Sequence, residues 1–254
     1  MFNWGAFTLF LYITMRMSGF VLFNPIFGRS GIPGLVRAGF IGMLSISVFY
    51  TYGGAAEMPD NLLTFGLRLM LELGVGLAIA MIMRFFFYIA DQSGEIVDTQ
   101  MGMSMARNYD PGSQTNMTVT ANFLNILMIL VFFAANGHVT LLKLMMTSGE
   151  IVPFGAVRLG QPLAERAVEL FAECALLSIK LALPILGAEL LGQVGMGVLM
   201  KVIPQINVFA INIELKVIIG LLMLVLLLSP MSEFLLRTEA TMLRELRQLL
   251  SFMA

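Results

Sequence analysis

Long apolar runs dominate this sequence and leave it few ways to fold. A helix crosses the hydrocarbon of a bilayer with about 20 predominantly apolar residues. Runs that meet or approach this length cover 4–27, 35–52, 62–90, 119–135 (continued over 141–146), 170–203 and 208–228. Hydrophobic residues fill 58% of the chain and charged residues only 12%. An average soluble chain carries about 25% charged residues, and half that cannot coat a globule of this size in water. The sequence therefore predicts an all-α membrane protein with about six hydrophobic helices, some of them broken, rather than a soluble enzyme. It reads as one helical membrane domain over 1–254, with N-terminal helices over 4–90, a central loop over 91–120, C-terminal helices over 121–235 and an amphipathic tail over 236–254.

Several classes of function fall away on composition. A formal net charge of −1 offers no footprint for nucleic acid. Cys174 is the single cysteine and His138 the single histidine, so neither an intrachain disulfide nor a metal site with two histidines is available. Residues 1–7 have no basic n-region or small-residue cleavage site, so no removable signal peptide is expected. Turn clusters at 28–34 and 53–59 separate the first three runs, and a polar connector covers 153–169. Arg29 and Arg37 favour a cytoplasmic first loop, while Glu57 and Asp60 mark the second as non-basic. After Pro230, Leu243, Leu246 and Leu250 fall at helical spacing among Arg237, Glu239, Arg244, Glu245 and Arg247. This pattern fits an amphipathic helix on a membrane surface or a partner.

Ionisable residues lie inside the apolar runs: Arg16, Arg68, Glu72, Arg84, Glu173, Lys180, Glu189, Lys201, Glu214 and Lys216. A charge at the bilayer centre costs about 2.5–3.5 kcal/mol on insertion scales, so each must snorkel, pair, line water or sit inside protein. Arg68 and Glu72 share a helix face at i, i+4, and Glu173 and Lys180 at i, i+7. One reading is an ion or proton pathway. The other is local neutralisation, or burial against other subunits, and the alternating signs favour it. Asp91, Glu95 and Asp98 set three carboxylates on one helix face. They fit a solvated or partner-facing surface better than a cation site.

Pro184 and Pro204 mark expected helix breaks. Proline removes a backbone donor, and broken helices persist at membrane depth only where protein or water surrounds them. Gly74 and Gly76, and Gly192, Gly195 and Gly197, permit close helix approach. Met101, Met103 and Met105 alternate within 100–106. Flexible thioethers there suit a deformable seal around a mobile polypeptide as well as ordinary gap filling. Catalytic patterns are weak. Ser104 in Gly102-Met-Ser-Met-Ala106 is a faint nucleophile elbow with only His138 as a base, and a small-residue turn explains it better. Asp110 after Tyr109 lacks a second aspartate in a comparable embedded motif. No P-loop, dinucleotide fingerprint or HExxH occurs, and no cofactor, metal or catalytic residue is expected.

Certain stretches carry a family resemblance. They are Arg16 with Asn24-Pro-Ile-Phe27 and Ile32-Pro-Gly-Leu-Val-Arg37, then Gly94-Glu-Ile-Val97 and Gln100-Met-Gly-Met-Ser104 continuing to Asp110-Pro111. Asn136-Gly-His138, Leu181-Ala-Leu-Pro184 and Pro204-Gln-Ile-Asn-Val-Phe209 complete the set. In this order and spacing, over about 16–230, the chain resembles the FliR family of flagellar type III export gate subunits, related to a family in virulence injectisomes.

The resemblance implies helical hairpins in a hetero-oligomeric gate with FliP-like, FliQ-like and FlhB-like subunits. It places that gate in the bacterial inner (cytoplasmic) membrane at the flagellar basal body, in contact with membrane lipid and with exported unfolded flagellar proteins. It assigns a pore plug to Gln100, Met101, Gly102, Met103, Ser104, Met105, Asp110 and Pro111. Met103 or Met105 stands where relatives often carry an aromatic, which implies a softer closure. It also makes Arg16, Arg68, Glu72, Glu95, Glu173, Lys180 and Glu189 candidate buried charges or subunit contacts. Asn212-Ile-Glu214 departs from the family's Gly-Phe-Pro, and no fused FlhB-like domain is expected. The alternative function is an ion-coupled secondary transporter that uses the intramembrane charges.

Overall fold

A computed structural model describes residues 3–56, 61–104, 107–110, 115–157, 160–202 and 208–253, with backbone alone at 107–110, 115–116 and 208–210. In chain order the elements are α1 (Trp4–Phe23), α2 (Gly34–Tyr52), α3 (Leu62–Met101), β1 (Arg107–Asp110), β2 (Thr115–Thr118), α4 (Val119–Ala134), α5 (Gly137–Ile151), α6 (Gln161–Val202), α7 (Val208–Leu226) and α8 (Leu228–Phe252). Helices dominate, as the apolar runs require. The strands form a small antiparallel hairpin in which Arg107 faces Thr118 and Asp110 faces Thr115. α1, α2, α3 and α6 are each long and apolar enough to cross a membrane. The bent pairs, α4 with α5 (67°) and the 211–226 part of α7 with α8 (62°), raise the number among the described residues to six if each pair is one span.

Local chemistry sets the helix ends. Asn3 caps α1, its Oδ1 accepting from the Ala6 amide at 3.2 Å. Past the other end of α1, Asn24 Oδ1 accepts from Ile26 at 2.8 Å and Phe27 at 3.2 Å. That turn directs the chain through Pro25, which cannot continue a helix. α4 and α5 meet at Asn136, whose φ of 59° makes it the sole non-glycine in the left-handed region among the described residues. Asparagine tolerates that region better than most side chains.

Three boundaries differ from the sequence reading. α3 continues through Met101, so 91–101 is helix and the irregular loop starts only after it. The polar residues of this stretch still keep helical spacing and pack on a neighbouring helix. α6 runs unbroken through Pro184, where a break was expected. One lost backbone hydrogen bond does not end a helix held by packing on both sides of the proline. Pro204, the other expected break, lies outside the described residues. The amphipathic tail begins earlier, since α8 starts at Leu228. Its apolar face, including Met231, Leu235, Met242, Leu246 and Leu250, is buried within the chain rather than laid on a surface.

The chain divides into two compact units. The first comprises 1–86, 133–171 and 239–254, and the second 87–132 and 172–238. In the first, α2 packs on α1 and α5, and the buried core draws on Ile13, Met17 and Phe20 of α1, Ile79 and Met83 of α3, and Leu141 and Met145 of α5. α1 and α3 cross where glycines face backbone. A Cβ on Gly19 would collide with the Leu73 carbonyl, and one on Gly76 with the Arg16 carbonyl. In the second unit Gly94 of α3 lies against the backbone of Ala121 in α4, and Phe87 meets Phe132 edge-on at 6.4 Å. Lipid tails give helices no hydrophobic reason to associate, so such small-residue contacts, where dispersion is strongest, carry the packing.

Gly94→Ala should therefore lower the stability of the purified chain by about 1–3 kcal/mol through overpacking against backbone. Gly39→Ala, on an open face of α2, should be neutral or gain up to about 1 kcal/mol from helix propensity. Unfolding midpoints in mild detergent distinguish the two, and equal shifts would contradict the packing assignment.

Candidate functional site

Two polar constellations stand out, one in each unit. In the first unit Arg16 of α1 and Glu72 of α3 are both fully buried and meet at 2.7 Å, Arg16 Nε donating to Glu72 Oε2. Arg16 Nη1 donates to the Val152 carbonyl at 3.0 Å and to Ser148 Oγ at 3.3 Å. Glu72 Oε1 accepts from the Gly155 amide at 2.6 Å, and the guanidinium carbon lies 4.2 Å from the centroid of Phe154. Gly155 has a φ of 84°, which a side chain rarely tolerates and which aims its amide at the carboxylate. The pair thus ties α1, α3, the end of α5 and the 152–155 turn into one polar knot. An ion pair this deep offsets its desolvation only with added hydrogen bonds, and here both partners have them.

The partner of Glu72 is therefore Arg16, fifty-six residues away, and not Arg68 one turn earlier on the same helix. Arg68 is half-buried. The i, i+4 geometry allows the local pair, but Glu72 points into the core, where Arg16 arrives from α1.

In the second unit the carboxylates of α3 meet α4. The Asp98 carboxylate accepts from the Thr120 amide at 2.7 Å and from Thr120 Oγ1 at 2.5 Å. It thus occupies the N-terminus of α4, where unpaired amides and the helix dipole favour an anion. Asp91 Oδ1 accepts from Asn125 Nδ2 at 2.6 Å. Gly94, between these two acids, provides the close contact with Ala121. Asp98 and Asp91 thus belong to a helix seam rather than to a solvated surface, because Asp98 is buried and both acids are engaged by α4. Among the described residues no cluster could hold a metal ion.

The seam leads directly into the methionine segment. α3 closes with Gly102 at φ 78°, the Met103 amide donating to the Asp98 carbonyl at 2.8 Å and the Gly102 amide to the Thr99 carbonyl at 3.2 Å. This is a Schellman cap, which needs the left-handed glycine. Asp98 therefore closes two helices, α3 through its carbonyl and α4 through its carboxylate. Met101 is fully buried and lies against Gly220 of α7, where an added Cβ would strike its sulfur. Gln100, Met103 and Ser104 are half-buried. The predicted plug residues thus fall into different environments: Gln100 and Met101 belong to the helix and Gly102 to its cap, while Met103 and Ser104 begin the loop. Asp110 ends β1, where the backbone alone is described, and Met105 and Pro111 lie outside the described residues.

The remaining predicted charges are scattered. Glu189 is fully buried on α6, neither carboxylate oxygen having a hydrogen-bond partner among the described residues. Glu95 is half-buried and has a partner. Glu173 and Lys180, expected as buried charges or subunit contacts, are exposed on this chain. The buried stripe of α6 runs instead through Leu170, Cys174, Ser178, Leu181 and Ile185. Ser148, Val152, Phe154, Gly155 and Thr120 were not singled out from sequence. Their roles depend on contacts between distant segments, and only the left-handed glycine carried a local signal.

These features define a multi-spanning helical membrane protein with locked internal polar contacts. Comparison with known proteins narrows the class. The profile of the family described as "Bacterial export proteins, family 1" matches residues 7–241, and the chain belongs to that family. It is 27% identical over 235 residues to the flagellar biosynthetic protein FliR of Escherichia coli (strain K12), covering 89% of this chain and 86% of that protein. It is 24% identical over 232 residues to FliR of Bacillus subtilis (strain 168), covering 88% of this chain and 87% of that one. It is also 31% identical over 172 residues to FliR of Buchnera aphidicola subsp. Acyrthosiphon pisum (strain APS), covering 67% of each.

Glu72→Ala or Arg16→Ala alone should cost about 3–5 kcal/mol, since each leaves its partner charged and buried. An apolar pair such as Arg16→Met with Glu72→Leu should lose much less. A double-mutant cycle on unfolding in detergent reads the coupling, and additive losses would refute it. Asp98→Ala should cost about 1–2 kcal/mol through loss of the α4 cap, measured in the same way.

Proposed function

We propose that this chain is a non-catalytic channel subunit of the bacterial flagellar protein export gate, in the cytoplasmic membrane at the basal body. In this reading it assembles with FliP-like and FliQ-like subunits beside an FlhB-like subunit, and unfolded flagellar proteins pass through the gate. Its segment 100–111 narrows the passage. The observation that carries this reading is the family match over 7–241, together with relatives named flagellar biosynthetic protein over most of their length.

The local geometry supports a divided role for the methionine segment. Met101 is an anchor, because its side chain is buried against Gly220 and cannot also line a pore. Met103 follows the Schellman cap and is half-buried, so it and Met105 are the thioethers left to form a compliant constriction. An unbranched thioether can repack around a passing chain of any sequence. A rigid cap behind it keeps the loop at a fixed root. The alternative, an ion-coupled transporter, draws on the intramembrane charges. Its strongest candidates, Arg16 and Glu72, are already engaged with each other and with fixed backbone groups.

Met103→Ala with Met105→Ala, in the assembled gate, should raise ion leakage several-fold while export continues. Met101→Ala should instead lower the stability of the chain, by about 2–5 kcal/mol as for other buried Met truncations. Membrane conductance and secreted flagellin, measured on the same strains, test the division. Unchanged leakage in the double variant would remove the constriction from this segment.

A further inference from the structure

The C-terminal helix α8 sorts its charges by sign. It carries the acids Glu233, Glu239 and Glu245 and the bases Arg237, Arg244 and Arg247, so its sequence is electrically balanced. The fold undoes the balance. Glu239 and Glu245 are buried, and Glu245 is held by Arg166 at 2.8 Å. All three arginines are exposed. Glu233 alone of the acids stays outside, paired with Arg237 at 2.6 Å. Arg244 reaches only the Thr241 hydroxyl, at 3.5 Å, and among the described residues neither it nor Arg247 has an acidic partner. Positions 237, 244 and 247 (i, i+7 and i+10) fall on one face of a helix.

Two further features say what meets this face. The helix follows α7 after a bend of 62°, which turns it off the line of the preceding apolar helix. Leu236 and Phe252 are exposed at 45% and 47%, and by helical spacing they flank the arginines on either side. A cationic centre with apolar edges matches the boundary of a bilayer, where guanidinium groups meet phosphates and apolar side chains dip among the upper acyl carbons. Arginine is the better cation for this, since its planar fork engages phosphate oxygens in pairs.

We propose that the outer face of α8, centred on Arg244 and Arg247, is a docking surface for the headgroups of anionic phospholipids. This is independent of whether segment 100–111 closes a pore. The test uses the full chain, in the complex with which it purifies, carrying a fluorophore at S251C in a C174S background. Ser251 lies on the same exposed face. The protein is reconstituted into phosphatidylcholine vesicles containing a trace of spin-labelled phosphatidylglycerol or of spin-labelled phosphatidylcholine. Quenching by the anionic lipid should exceed that by the neutral lipid several-fold at low salt and fall toward equality at high salt. R244Q/R247Q should abolish the difference and R244K/R247K should keep most of it. The salt series on unsubstituted arginines gives the same readout without any risk to folding. Equal quenching by both lipids at low salt would overturn the proposal. So would shielding of the label from both lipids by a bound acidic protein subunit.

Discussion

Burial of one full positive and one full negative charge in an apolar chain is the constraint around which the first unit is organised. Neither Arg16 nor Glu72 touches solvent or the outer surface. Each would be strongly destabilising alone, so α1 and α3 must meet at this point and in this register. The glycine contacts follow from that requirement. Gly76 lies against the backbone of Arg16 itself, so the helices approach closely at the residue that carries the charge. The turn at 152–155 adds a carbonyl for the guanidinium and an amide for the carboxylate. The knot is also directional. Unlike apolar contacts, hydrogen-bonded charges do not tolerate a one-residue slip, which specifies a single packing where lipid-like surfaces allow many.

The second unit reaches the same end by a milder device. Asp98 lies at the N-terminus of α4, where amides and dipole stabilise it, and Gly94 nearby sets the spacing of α3 and α4. With 40 residues α3 is about 60 Å long, roughly twice the hydrocarbon thickness. A helix of this length cannot lie wholly in acyl chains along the bilayer normal, and its polar last turns, from Asp91 onward, suit a stretch covered by protein. The rigid base of the methionine segment is then a consequence of helix capping rather than of any feature of the loop.

Much of this was legible in the sequence. Apolar run length located the helices, since spanning segments must satisfy their own backbone. The family resemblance rested on the order of short polar and proline motifs, and the family match agrees with it. Pairing of charges was legible only as a need. That Arg16 had to find an acid followed from its place in an apolar run, but the choice of Glu72 over any local partner depends on how α1 and α3 cross. Loop character was misjudged at 91–101 for a related reason. Polar residues there signal a loop by composition, yet Asp91, Gly94 and Asp98 keep helical spacing because their partners lie on α4. Pro184 misled in the opposite direction, since a single missing donor is a small loss in a helix with buried residues on both sides of it, Leu181, Ala182 and Ile185.

The close crossings also govern how such a chain can drift over evolutionary time. Outward-facing positions such as Leu35, Met43 and Val225 are broadly exposed and can exchange among apolar residues with little effect on the chain's own packing. Gly19, Gly76 and Gly94 have backbone where a side chain would grow. A lineage can therefore rewrite most of its apolar letters and keep its shape, while these few positions admit no larger residue unless a whole helix moves with it.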